Sequence, residues 1–209
     1  MSDLTGTAPG GVCPRVMALE EAREDVDGWL DQVKLKTGKV SELMRNEIAE
    51  GMRQRTISAF AVYDEIGQIE QSDPLRCNGT KSTKPLTGEL LTGLMHKHRK
   101  TSSMQDFMLN IENHWKRRNN RGERQRIKNE VRNGGHTGKA AHEIVLGGYK
   151  ARHGADQMTG EWIVYAVING VNYYLTLATH TEPDAAIRER VKSCFDEFPE
   201  VAAHLGWDT

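Results

Sequence analysis

Apolar residues change their period along this chain, and the changes divide it into elements. Leu19, Ala22, Val26, Trp29, Leu30 and Val33 recur at offsets of three and four, as do Val40, Leu43, Met44, Ile48 and Met52. With Lys36-Thr37-Gly38 between them as a stop, these two stretches predict a helical hairpin. Thr56–Tyr63 fits either period: Ile57, Ala59, Ala61 and Tyr63 alternate like a strand, while Ile57, Phe60 and Ala61 continue a helix. Ser72–Pro85 is a loop by composition and the natural boundary. Thr87 and Glu89 open a helix carrying Leu90, Leu91, Leu94, Met95 and His98, and Met104, Phe107, Met108, Ile111 and Trp115 predict another over residues 102–117. Residues 121–132 permit a helix but hold only Ile127 and Val131 as apolar anchors, so they read as a solvated helix or as disorder.

The pattern then switches to a period of two. Glu161–Ile168 and Val171–His180 alternate on either side of Asn169-Gly170, a pair that suits a type I′ turn because both residues tolerate positive φ. A two-residue loop sets Ile168 opposite Val171, Ala166 opposite Tyr173, Val164 opposite Leu175 and Trp162 opposite Leu177, all on one apolar face. Tyr165, Tyr174 and Thr176 then share the other face with His180 at its end. Residues 140–152 read as strand or helix-to-strand. Residues 182–196 read as a closing helix with Ala186, Ile187, Val191, Cys194 and Phe195 on its apolar stripe. The expected architecture is α+β: a lead-in over residues 1–15, a mainly helical region over 16–134, and an α/β unit over 135–209. That unit comprises a small antiparallel three-stranded sheet with a C-terminal helix on its apolar face.

Composition narrows the setting. The chain has 209 residues and a formal net charge of −1, enough length for a real core. Charge is unevenly spread: Leu91–Ala140 holds twelve Lys/Arg against four Asp/Glu, while Leu19–Asp31 and Thr181–Glu200 lean acidic. A local basic field steers polyanions even at near-zero net charge. Cys13, Cys77 and Cys194 are odd in number and form no Cys-x-x-Cys, which fits free thiols in a reducing compartment. With no leader pattern and no long apolar run, the expectation is a cytoplasmic protein without a membrane partner.

His180 leads the candidate chemistry, because a histidine titrates near neutrality and this one closes a half-polar strand face. His142 and His153 bracket a segment that contains Lys150 and Arg152. If this segment is a third strand, one of the two histidines and both cations lie beside His180. Two histidines plus Lys/Arg meet the needs of metal-independent RNA cleavage: a base for the 2′-OH, an acid for the leaving oxygen, and cations for the charged phosphorane. Tyr165, Tyr174 and Thr176 would face the substrate. Trp115, Lys116, Arg117, Arg118, Arg124 and Arg126 form a basic tract able to bind phosphate and stack on bases; its bland reading is a solvated face. His96 and His98, placed on a helix, point nearly opposite ways and cannot share a metal there. No cofactor and no metal are therefore expected.

The unit from Lys139 to Phe198, with terminal His180 and interleaved Lys150, Arg152, Tyr165 and Tyr174, resembles the small ribonuclease toxins of the barnase–EndoU–colicin–RelE superfamily. The resemblance covers about 60 residues of the chain and carries over only the role of His180. It implies a metal-independent endoribonuclease, toxin- or phage-related, acting on RNA (or DNA) and paired with a cognate antitoxin or immunity protein. The alternative is a non-enzymatic nucleic-acid-binding or regulatory protein using residues 96–132. A third reading makes the Leu19–Met52 helices an adaptor for a protein partner.

Overall fold

The computed structural model describes residues 17–32, 35, 38–71, 79–100, 104–155, 157–158 and 160–207. The lead-in over 1–15, and residues 72–78 of the expected boundary loop, lie outside the described residues. No described helix is long and apolar enough to cross a membrane.

The Asn-Gly hairpin forms as the alternation predicts. Asn169 and Gly170 both take positive φ, 51° and 79°, joining β4 (Trp162–Ile168) to β5 (Val171–Ala178). From the turn, Ile168 pairs with Val171, Ala166 with Tyr173 and Tyr165 with Tyr174; a β-bulge then shifts the register, so Val164 pairs with Thr176 and Trp162 with Ala178. One extra residue on β5 exchanges the faces of everything beyond it. Leu177, expected beside Trp162, is instead buried with Tyr165 and Tyr174, while Ala178 joins Val164, Ala166, Tyr173 and Leu175 on the other side.

Among the described residues the sheet is five-stranded and mixed, in the order β1-β5-β4-β3-β2, which corrects the expected three-stranded antiparallel sheet. β1 (Lys39–Val40) runs parallel to β5; β2 (Lys84–Pro85) and β3 (Met95–His98) are antiparallel to their neighbours. The strand flanking β4 is thus β3, from a segment whose leucine spacing reads as helix. A single turn of 3-10 helix over Glu89–Leu91 uses up that spacing, and the chain then extends to pair with β4. The segment expected to supply the third strand is helical: α6 (Thr137–His142), a π turn over Glu143–Gly147, and α7 (Gly148–Gly154). Helices are accordingly not confined to the N-terminal region, and the sheet draws strands from both sides of residue 134.

Helices cover both sheet faces. α1 (Leu19–Gln32), α2 (Glu42–Arg53) and α3 (Ala59–Gln71) pack Val26, Met44, Ile48, Val62 and Ile66 onto Ile163, Tyr165, Tyr174 and Leu177; the ambiguous Thr56–Tyr63 stretch resolves into the start of α3. On the opposite face α8 (Asp184–Lys192) and α9 (Pro199–Leu205) bring Ile187, Val191 and Val201 against Val164, Ala166, Tyr173 and Leu175. At about 1.5–3 kcal/mol per fully buried large apolar side chain, both layers contribute substantially. α4 (Met104–Lys116) and α5 (Arg121–Arg132), with α6 and α7, form a further helical group. Met158 joins it to the sheet region through a parallel bridge with Thr80.

Candidate active site

The bulge in β5 decides where His180 points. Without it, His180 would share the face of Tyr165 and Tyr174, which α1–α3 cover. With it, the exposed His180 ring lies 4.6 Å from Trp162 and 5.1 Å from His98, centroid to centroid. The turn that holds it is anchored from α8, where Arg190 donates to the Leu177 carbonyl at 2.8 Å and to the Glu182 carboxylate.

β3 supplies the rest. On a strand, residues two apart share a face, so His96 and His98, paired across β4 with Val164 and Trp162, lie together with ring centroids 5.4 Å apart. The expectation that they point apart fails because it placed them on a helix. Trp162 closes the group, 5.0 Å from His96. Lys97 between them turns to the other face, where its Nζ sits 3.3 Å from Glu65 and donates to Thr80 Oγ1 and to the Lys81 carbonyl, at 2.8 and 2.9 Å.

The three imidazoles differ in setting. His98 is buried, and its Nδ1 lies 3.0 Å from the Gly160 carbonyl and 3.5 Å from the Gly160 amide nitrogen; with the ring proton on Nδ1 the nearer carbonyl accepts it, and Nε2 is then a lone pair. Burial pushes its pKa down to about 3, against the opposing effect of the Gly160 bond, and repulsion from Lys81, His180 and His96 adds to the fall. His96 is lowered by burial first and then by His180. Its buried Nδ1, like the buried Nε1 of Trp162, has no hydrogen-bond partner. Lys81, half-buried, is lowered by burial and by repulsion from Arg152, Lys84 and Arg117. Cations therefore crowd one side of the histidine group. Among the described residues no set of three or more His, Cys, Asp or Glu side chains is arranged to hold a metal ion.

The residues expected from sequence fall in several places. Arg152 and His153 come close to the site's edge, from α7 rather than a strand. Arg152 is buried and donates from Nε to Asn110 Oδ1 at 3.1 Å and from a terminal nitrogen to the Gln157 carbonyl. The His153 ring packs over Gly79, beside Thr80. Lys150 and His142 are exposed on α7 and α6. Tyr165 and Tyr174 are buried under α3, ring centroids 5.6 Å apart, with Tyr174 donating to Glu70 at 2.7 Å. They hold the core together and do not face solvent. Thr176 is also buried, bonded to Glu47 and Arg190.

The basic tract divides as well. Trp115 donates to the Ile144 carbonyl at 2.8 Å, Lys116 pairs with Glu112, and Arg117 donates to Gln157. Arg126 is occupied by Glu123, Glu130 and Glu143, whereas Arg118 and Arg124 are exposed. The site reading from sequence omits Lys81 and Trp162, and takes His96 and His98 only as a helical pair unable to share a metal and as part of the basic segment 96–132. The His-x-His alternation around Lys97 was the available signal, legible once the segment is taken as a strand.

Comparison with known proteins adds no relative: a scan against protein-family models gave no match, and neither the curated proteins nor the solved structures gave a significant one.

Proposed function

We propose that the protein is a metal-independent endoribonuclease whose acid–base pair is His98 and His180. The observation that carries this reading is the juxtaposition of a buried imidazole, held through Nδ1 by Gly160, and an exposed one, ring centroids 5.1 Å apart, close enough for the edges of both rings to reach a single phosphodiester docked beside them. His98 Nε2 takes the proton of the 2′-OH, whose oxygen attacks phosphorus. The P–O5′ bond breaks, and His180 delivers a proton to the departing oxygen. The products are a 2′,3′-cyclic phosphate and a 5′-hydroxyl. Lys81, whose charge bears on His98, is assigned to the extra negative charge of the phosphorane, and Trp162 to a stacking surface. A ring held neutral by burial gains basicity when a phosphate enters, since an adjacent anion favours its protonated form.

The test is incubation of purified protein with total RNA in excess EDTA. Cleavage leaving cyclic phosphate ends is expected, with His180→Ala and His98→Asn each reducing the rate by about 10²–10⁴-fold and all-deoxy strands left intact. No cleavage, or cleavage indifferent to His180→Ala, overturns the proposal. The exposed cations of α5 favour the alternative of nucleic-acid binding without cleavage, which that outcome would leave standing.

A further inference from the structure

We infer that the substrate is an extended single strand of RNA whose flank leaves the histidine group past Lys81 and Arg117 and lies along a row of cations on α5. This rests on the ribonuclease reading and adds to it the form of the substrate.

The path is built from contiguous contacts. Lys81 is tied to β3 through the bond from Lys97 to its carbonyl. Its neighbour Thr80 bridges to Met158, and the adjacent Gln157 receives both Arg117, on its side chain, and Arg152, on its carbonyl. Arg117 ends the segment after α4, the exposed Arg118 follows in a 3-10 turn, and α5 begins at Arg121. Lys81, whose charge bears on His98, is itself repelled by Arg117, and from Arg117 the chain runs directly into α5, so the cations follow one another from the histidine group to the helix.

α5 itself sorts its charges. Arg121, Arg124, Lys128 and Arg132 are all exposed and stand at offsets of three, four and four, which at about 100° per residue confines them to one strip of the helix. Glu123, Arg126 and Glu130 fall on the far side, where they pair with one another and with Glu143. A merely solvated helix gains most by mixing its signs; this one keeps its carboxylates off the row. The four cations advance in steps of about 4.5–6 Å along the axis, a ladder that a flexible polyanion can follow phosphate by phosphate. A single row one side chain wide, leading to a recessed imidazole, fits one strand. The in-line attack by a 2′-OH likewise needs a backbone free to rotate, which a paired helix denies.

The test measures binding and uses the full chain carrying His180→Ala, so that the RNA survives. Fluorescence anisotropy with a labelled 12-nucleotide oligouridylate is followed from 50 to 300 mM NaCl, with and without Arg124→Gln/Lys128→Gln/Arg132→Gln. Removing three phosphate contacts is expected to weaken binding at least about tenfold at low salt and to reduce the slope of log K against log salt by about 2, at about 0.7 per contact on a single strand. Unchanged affinity and slope overturn the inference, and so does equal or tighter binding of a blunt duplex of the same length. The three side chains are exposed, and melting temperature checks folding; the single variants, each expected to lower the slope by about 0.7, serve if the triple variant fails to fold. Because the readout is binding, failure of the row and failure of the catalytic pair are seen separately.

Discussion

His98 makes the fold depend on pH. The unfolded ring takes up a proton near 6.5, whereas burial keeps the folded ring neutral down to about 3. There is no penalty above 6.5, and stability is lost as pH falls from 6.5 towards 3. Between pH 7.5 and 5 the loss attributable to this ring is expected to be about 2 kcal/mol, read from urea midpoints and largely absent in His98→Asn. An unchanged pH dependence in that variant would show the ring to be solvated. At this scale the sequence was partly legible. His180 stands out because it terminates an alternating strand, but its companions do not. His142 and His153 attract attention through their spacing around Lys150 and Arg152, and helix formation over that stretch removes the reason for it. His98 is buried beside Gly160, 62 residues away, and no local pattern encodes that contact.

Among elements, the hairpin was readable because Asn169-Gly170 fixes a turn whose geometry then dictates pairing. The bulge was not, since an inserted residue leaves the alternation on each side intact and changes only their relation. β3 was missed for a different reason: four residues are too few to show a period, and leucines just before them mimic a helix. α2 shows how a short connection is held. Ser41 is its N-cap, accepting from the Met44 amide at 3.0 Å while its hydroxyl donates to the Leu175 carbonyl at 2.6 Å, fully buried. Ser41→Ala removes the cap and leaves two buried backbone groups without this partner, so a loss of about 1–3 kcal/mol is expected in chemical denaturation. A loss below about 0.5 kcal/mol would mean that neighbouring groups re-satisfy them.

The whole molecule is tied together by the Lys97–Glu65–Thr80 network, which joins β3 to α3 and to the segment leading into Lys81. Glu65→Gln leaves a buried ammonium without its counter-charge and is expected to cost about 3–5 kcal/mol, whereas Glu65→Leu with Lys97→Met recovers most of that; a double variant as unstable as the single would contradict this account. The α+β class was legible because hydrophobic period reports element type, while sheet membership depends on pairings between distant segments. His98 and His180, more than eighty residues apart in the chain, meet only because β4 pairs with β3 on one side and β5 on the other. A ribosome making this chain therefore has to release β5 and the turn after it before the two imidazoles can meet. On the ribonuclease proposal, the growing polypeptide stays harmless to the message that encodes it until β5 and the turn after it have emerged and paired with β4, so the order of synthesis itself acts as a safety catch.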